Sequence, residues 1–250
     1  MARLMTVVIC ATLFAPQMFA QSTQPASASE GWRLRVIPYL WGPDFEGRVG
    51  VGDRTANVDA TFGDILRELN FAVMATVEAN RNRFTSLADF IYIDLSDKHA
   101  TSGPFFSGVK GIAKSFIMTP EAGYRIAGSD ESYFDAAAGI RFWSVDGEIK
   151  FEPGVLNGLD ISNRRNWVDG IYALKGKVRL SPKWFLSGYG DIGGGGSNLT
   201  YQLLGVAGAD LNRRLSLAFG YRHLNVNYNK DRFLYDVGMG GPIVGLVIKF

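Results

Sequence analysis

Cysteine and long apolar runs are the two features that this sequence has least of. Its one cysteine, Cys10, lies inside an apolar N-terminal segment, so we expect neither a disulfide nor thiol chemistry in the mature chain. Ile9 precedes it, where a lipid-anchored cysteine would follow a small residue. Beyond that segment no apolar run is long enough for a transmembrane helix. A helical membrane protein is therefore not expected.

The net charge is small, and histidines are few. The formal net charge is only +2, which argues against a nucleic-acid partner. His99 and His223 are the two histidines, and no cluster of side chains has metal-ligand spacing. The sequence therefore predicts no metal and no cofactor.

The N-terminal segment has the layout of a secretory signal peptide, with Arg3 before an apolar stretch and small residues after it. We predict a signal peptide over residues 1–20, with cleavage after Ala20, or after Ala28 as the alternative. Residues 21–30 are rich in Ser, Ala, Pro and Gln and are predicted to be a disordered leader. Residues 31–250 then form one domain.

That domain contains about ten stretches in which apolar and polar residues alternate, separated by alternately short and long connections. This pattern is typical of an all-β protein with a single antiparallel β-barrel of the outer-membrane type. Eight or twelve strands are also compatible with it. The predicted strands are Trp32–Trp41, Phe71–Arg81, Phe84–Ser96, Val109–Ile126, Tyr133–Asp146, Trp167–Leu180, Trp184–Ile192, Leu199–Leu211, Leu215–Tyr228 and Phe233–Phe250.

The last strand carries the C-terminal signature of such a barrel. Val244, Leu246, Ile248 and Phe250 share one face, which we expect to meet lipid. The expected location is the outer membrane of a Gram-negative cell after signal cleavage. Expected partners are outer-membrane lipid, lipopolysaccharide and the barrel-insertion machinery, which would recognise this strand. The chain is expected to be a monomer.

Strand parity predicts which charges face the lumen, because a charged side chain at mid-bilayer costs roughly 2–4 kcal/mol. Asp89 is assigned inward and Asp94 to the outer rim. The predicted lumen cluster consists of Arg33, Arg35, Glu78, Glu121, Arg125, Asp135, Arg141, Asp169, Lys175, Lys177, Arg179, Asp191 and Arg222.

Two interpretations of this cluster remain open. In one, the row Lys175, Lys177 and Arg179 forms an anion-favouring constriction with cations from other strands. In the other, which we favour, the cations pair with carboxylates to fill a small closed lumen. A barrel of ten strands is narrow for a water path, since open porins use roughly 16–18 strands.

The connection Gly42 to Asn70 departs from the alternating pattern. Its first half has turn signals around short strands. Its second half has helix-like apolar spacing from Phe62 to Leu69, with Thr61 as the N-cap candidate. We predict a small hairpin and a short helix that cap the outer mouth or fold into it. We also expect Gly193 to Gly196 to form a flexible outer loop.

Several segments resemble a family of small, mostly uncharacterised Gram-negative outer-membrane β-barrel proteins. The resemblance covers nearly the whole mature chain and implies a barrel of this size, but it supplies no substrate and no catalytic residue. The matching segments are Pro38 to Gly42, Val58 to Leu66, Asn70 to Met74, Asp89 to Tyr92, Asn166 to Asp169, Gly220 to Arg222 and Gly245 to Phe250.

The expected function is a non-enzymatic barrel that is structural or passes small polar solutes. One alternative is an enzyme acting on lipid or peptide at the outer rim through His223, although no serine motif precedes it. Another is a binding module in which the predicted loop Gly147 to Asn166, with Arg164 and Arg165, contacts lipopolysaccharide phosphates.

Overall fold

The computed structural model describes residues 31–100, 106–153 and 159–250, so the predicted signal peptide and leader lie outside the described residues. Ten strands close into an antiparallel barrel, and two further strands and one short helix stand outside the closed ring. The elements are β1 (Arg33–Trp41), β2 (Asp44–Val51), β3 (Arg54–Ala60), α1 (Phe62–Glu68), β4 (Leu69–Arg81), β5 (Phe84–Ala100), β6 (Phe106–Gly128), β7 (Tyr133–Pro153), β8 (Leu159–Arg179), β9 (Trp184–Gly195), β10 (Leu199–Asp210), β11 (Leu215–Lys230) and β12 (Phe233–Lys249).

The barrel closes because β1 pairs with both β4 and β12. Arg35 lies opposite Glu78 on β4 and opposite Lys249 on β12. The remaining neighbours follow chain order from β4 to β12. The prediction of an all-β, antiparallel barrel with about ten strands and a short helix in the first long connection is confirmed.

Four short turns lie at one end of the barrel, together with both ends of the described barrel chain; we call it the short-turn end. These turns are residues 82–83, 129–132, 180–183 and 211–214. Asn82 has a φ of 54° in the two-residue turn, a left-handed conformation that asparagine tolerates better than most residues. The opposite end, where β6, β7 and β8 extend beyond the shorter strands, is called the long-strand end.

The strands at the long-strand end are longer than predicted. β7 continues to Pro153 and β8 starts at Leu159, so the predicted loop Gly147 to Asn166 is wrong, and only residues 154–158 of it lie outside the described residues. The alternation of polarity fades there, but the ladder between β7 and β8 continues to Phe151 opposite Leu159. Paired backbone groups keep these strands extended even where polarity no longer marks them.

The predicted glycine loop is also wrong. Gly193 to Gly195 belong to β9, and the Gly196 N–H donates to the Val168 carbonyl at 2.9 Å. A Cβ atom on Gly193 would lie 2.0 Å from the Gly170 carbonyl oxygen. Glycine is needed here because two backbones approach closely, not because the segment is a flexible connection.

The segment between β1 and β4 continues the barrel wall. β1 ends at Trp41, whereas β12 reaches Phe233 at the long-strand end, and β2 pairs with the part of β12 that β1 leaves unpaired. β3 pairs with β2, and α1 contacts both β2 and β5. Phe45 and Val49 of β2 pack against the buried interior. The predicted hairpin therefore extends the wall rather than filling the lumen.

The short helix begins where the sequence predicts. The Thr61 hydroxyl and backbone N–H both donate to the Asp64 carboxylate, at 2.6 and 3.2 Å, and the Asp64 N–H donates back to Thr61 Oγ1. This reciprocal capping box satisfies backbone groups that the first turn of a helix leaves unpaired. Hydrogen bonds from Thr61 hold the pKa of the Asp64 carboxyl below its ordinary value, and the nearby Arg67 adds to this effect.

The outer surface of the barrel wall is largely apolar. Exposed side chains on successive strands include Leu174, Leu186, Leu203, Phe219 and Val244, all pointing away from the lumen. In the described part of the chain, no helix is both long enough and apolar enough to cross a membrane.

Candidate functional site in the barrel lumen

The half of the lumen nearer the long-strand end is filled by large apolar side chains. Trp143 and Trp167 stack with 5.5 Å between ring centroids, and Tyr228 lies 4.4 Å from Trp167. Trp143, Leu224 and Val226 are almost completely buried. We call the aromatic members of this core other than Tyr39 the aromatic plug, which consists of Trp41, Trp143, Trp167, Tyr228, Phe233 and Tyr235.

A buried network around Arg222 lies next to the aromatic plug. The guanidinium donates to the Tyr39 hydroxyl at 2.8 Å, to the Asp89 carboxylate at 2.9 Å and to the Gln202 side-chain oxygen at 2.5 Å. Its Cζ atom also lies 4.8 Å from the Trp41 ring centroid. These bonds connect β11 to β1, β5 and β10. The positive charge of Arg222 is therefore paired with Asp89 and held in one position.

A second network surrounds Arg141, which is fully buried on β7. Its guanidinium donates to Thr119 at 3.2 Å, to Thr200 at 3.0 Å and to the Asp191 carboxylate at 2.5 Å. The Tyr189 hydroxyl lies 2.8 Å from Asp191 and also contacts the Glu121 carboxylate. Buried charges of this kind are stable only when they are paired and hydrogen-bonded, as they are here.

Further ion pairs lie towards the short-turn end. Glu78 accepts from both Arg35 and Lys175. Asp210 binds Arg179 at 2.5 Å and Lys249 at 2.6 Å. These carboxylates each serve two cations, so positive charge is in local excess.

The remaining predicted lumen residues are also placed on the inner face. Arg125 binds Asp135 at 3.0 Å and Asp130 at 2.8 Å, and Arg33 pairs with Asp130 as well. Asp169 is fully buried and accepts a bond of 2.6 Å from the Ser197 backbone N–H.

Lys177 differs from the other lumen cations. The ion pairs in the described residues leave it without a carboxylate partner. Its Nζ atom instead lies 4.4 Å from the centroid of the Phe185 ring. The residue is only 9% exposed, and it borders a cavity in the lumen.

That cavity has a volume of about 150 Å³ and lies between the Arg222 network and the short-turn end. Its walls are mostly apolar, and they carry five cationic and three acidic side chains. The charged lining residues are Arg35, Lys175, Lys177, Arg222, Lys249, Glu78, Asp89 and Glu121.

The terminal signature residues lie on the outside. Val244 and Phe250 are exposed and Leu246 and Ile248 are partly exposed, whereas Lys249 points inward to Asp210. Asp94, assigned to the rim, lies 3.6 Å from Lys114, which is itself partly exposed.

His223 lies on the outward face of β11, midway along the strand. Its Nε2 atom is 3.4 Å from the Tyr201 hydroxyl, and the two rings are 5.7 Å apart. The side chain of His99 is outside the described residues. Within the described ranges, no group of three histidine, cysteine or acidic residues could hold a metal ion.

The loop residues proposed for surface binding are strand residues. Arg164 binds the Asp146 carboxylate at 2.5 Å on the outer face of the β7–β8 ladder. Arg165 faces the other way, and its Cζ atom lies 5.8 Å from the Phe233 ring. The two neighbouring arginines therefore do not present one common surface.

Several network members lie outside the predicted lumen charge cluster, although inward parity also places Tyr39 in the lumen. Tyr39 and Gln202 complete the Arg222 network, Lys249 and Asp210 complete the pairing of Arg179, and Asp130 links Arg33 to Arg125. Inward parity marks Tyr39, Gln202 and Lys249. Asp130 sits in a turn, where parity gives no signal.

No family model matches the chain, and no curated protein sequence matches it. Among solved structures, it is similar to the outer-membrane protease OmpT from Escherichia coli, with 11% identity over 92% of this chain and 100% of that chain, at a TM-score of 0.54. Weaker matches are the translocator domain of autotransporter NalP from Neisseria meningitidis (12% identity, 88% and 89% covered, TM-score 0.39) and OccAB2 from Acinetobacter baumannii (9% identity, 88% and 98% covered, TM-score 0.30).

The similarity to OmpT shows a shared fold and nothing about chemistry, because the identity is so low. The chain thus has an outer-membrane-type β-barrel fold, which agrees with the barrel architecture implied by the sequence resemblance.

Proposed function

We propose that this protein is an integral outer-membrane β-barrel with a closed, non-conducting lumen, and that its primary role is structural. The observation that carries the proposal is the filled interior. The aromatic plug fills the half of the lumen nearer the long-strand end, and paired, hydrogen-bonded charges lie next to it. A packed interior in which buried cations are paired with carboxylates is what a small barrel without a water channel requires.

The outer-membrane location is supported by the surface of the wall. Exposed apolar residues continue around the strands, and such a continuous apolar surface is rare on proteins surrounded by water. Trp32, Phe84, Trp184 and Phe250 are exposed at the short-turn end, where an aromatic girdle would contact lipid headgroups. Outer-membrane lipid is therefore the proposed partner of this surface, with lipopolysaccharide in the outer leaflet.

A conducting channel is the function from which this proposal must be distinguished. The test is ion conductance in planar bilayers, using protein that co-floats with liposomes and migrates differently on gels with and without boiling. We expect no steady conductance from the folded protein. A double variant Trp143→Ala, Trp167→Ala, which removes two stacked rings of the aromatic plug, provides the widened-lumen comparison.

Steady conductance from the unaltered protein would contradict a closed lumen. In that case Lys175→Gln, Lys177→Gln and Arg179→Gln together should change anion selectivity, since fixed charge sets the selectivity of a pore. With a closed lumen, the same substitutions should lower thermal stability instead, because two of the three cations belong to ion pairs.

The proposal assigns no reaction to His223. A general base must lie within hydrogen-bond reach of a nucleophile or water, and the polar contact of this imidazole is Tyr201 on the outward face. We expect His223→Ala to leave any lipase or protease signal of the purified protein unchanged. A hydrolase activity that this substitution removes would instead establish an enzyme.

A further inference from the structure

We propose that the cavity at the short-turn end binds a small carboxylate with an apolar body, and that Lys177 provides the charge that the carboxylate meets. This goes beyond the structural role, because a barrel that only fills space needs no unpaired cation inside it. The argument rests on charge, on the character of the walls and on size.

The charge argument begins with the carboxylates that face the cavity. Glu78 is shared by Arg35 and Lys175, and Asp89 is held by Arg222. Glu121 accepts from Tyr189. Two of the three acidic side chains on the lining are thus already paired with cations, and the third accepts a hydrogen bond from a neutral hydroxyl.

Lys177 is left over from this pairing. The charged groups that act on it include the cations Arg35, Arg179 and Lys249, and the carboxylate of Asp210. Asp210 is already bound by Arg179 and Lys249. The contact with Phe185 supplies a cation–π attraction, but it neutralises no charge.

Lys177 is nine-tenths buried as a residue, and an ammonium group that faces only a small cavity has less water around it than in bulk solvent and has no counter-ion, which is costly. An anion entering the cavity would supply the missing partner. The local excess of cations would favour a ligand with one negative charge and would disfavour neutral or cationic molecules.

The uncharged residues of the cavity wall indicate the character of the rest of the ligand. Ile37, Leu204, Val206, Ile243 and Val247 line the same cavity, together with the ring of Phe185. Apolar surfaces of this kind gain by excluding water from a hydrocarbon or aromatic group. The ligand should therefore carry its charge at one end and an apolar body at the other.

The volume of the cavity limits the size of the apolar part of the ligand. The volume of about 150 Å³ is similar to that of an engineered apolar cavity, in another protein, that accepts benzene. A single aromatic ring or a short alkyl chain fits this limit, whereas a long acyl chain does not. Benzoate is therefore a suitable probe.

The experiment measures benzoate binding by isothermal titration calorimetry to the folded full-length barrel in detergent micelles. Benzyl alcohol, which has the same ring and no charge, is the ligand control. We expect benzoate to bind and benzyl alcohol to bind at least about tenfold more weakly.

The decisive variant is Lys177→Met, which removes the charge and keeps an unbranched apolar side chain. Lys183→Met, at an exposed position in the turn after β8, is the matched control. Lys177→Met should weaken benzoate binding by about tenfold or more, and Lys183→Met should leave it unchanged. Equal affinity in the two variants, or no heat of binding at about 10 mM benzoate, would overturn the proposal.

Folding of Lys177→Met is checked by its migration with and without boiling. If it does not fold, Ala218→Leu provides a second test, since this residue lines the cavity and a larger side chain fills it. Loss of benzoate binding in folded Ala218→Leu supports the site, and unchanged binding refutes it. Conductance is measured separately, so failure of ligand binding and failure of the closed lumen give different results.

Discussion

Arg141 and Asp191 form an ion pair with 2.5 Å between Nη2 and Oδ2, and both side chains are completely buried. The same guanidinium also bonds to Thr119 and Thr200. One side chain on β7 therefore connects to β6, β9 and β10 across the inside of the barrel. Such a contact helps to fix the arrangement of the strands as well as the charge.

We predict that Arg141→Met destabilises the barrel by about 3–5 kcal/mol, because it leaves the Asp191 carboxylate buried without its cation. The double variant Arg141→Met, Asp191→Leu should recover a large part of this loss, since it removes both charges. Urea-induced equilibrium unfolding in lipid vesicles measures the two free energies. A double variant that is as unstable as the single one would show that the ion pair is not what the first substitution disrupts.

The placement of this pair could be predicted in part from the sequence. Parity alone assigns Arg141 and Asp191 to the inside, because any other assignment would expose charge to lipid. It cannot say that the two residues meet. That depends on the register of two ladders, β7–β8 and β8–β9, and a shift of one residue in either of them moves one of the two side chains to the opposite face of the wall.

The exceptional position of Lys177 shows the same limit. Lys175, Lys177 and Arg179 are equivalent in the sequence, as three inward cations on one strand. Only the three-dimensional arrangement brings Glu78 to Lys175 and Asp210 to Arg179 and leaves Lys177 beside Phe185. The long ends of β7 and β8 were missed for another reason, since polarity marks a strand only where one face is apolar.

The aromatic plug should contribute strongly to stability. Trp143 is 1% exposed, so Trp143→Ala leaves a large void and should cost about 3–5 kcal/mol. Trp184→Ala is the control, because that side chain is mostly exposed on the outer wall at the short-turn end. Thermal unfolding followed by heat-modifiable migration compares the two. Similar losses in both variants would mean that the interior contact is not the source of the stability.

The lipid-facing wall gives a depth-dependent prediction. Leu174 lies on β8 midway between the outward residues Val168 and Leu180. Leu174→Arg should therefore destabilise the barrel in vesicles by about 2–4 kcal/mol, and Leu180→Arg, at the short-turn end, by only about 0–1 kcal/mol. Equilibrium unfolding in vesicles measures both values. Equal effects at the two depths would argue against a bilayer around this wall.

The capping box at Thr61 should be visible in the titration of Asp64. The pKa of this carboxyl is lowered in the folded protein, chiefly by hydrogen bonds from Thr61, so it should fall below the ordinary aspartate value of about 3.9. A carboxyl with a depressed pKa stabilises the fold above its unfolded pKa, and this contribution is lost as the pH falls through the folded pKa. Carbon-13 NMR of the Asp64 carboxyl in micelles should record the low value, with a rise in Thr61→Ala and little change in Thr61→Ser. If the pKa of Asp64 lies near the ordinary value and Thr61→Ala does not change it, then the cap does not form and another contact orders α1.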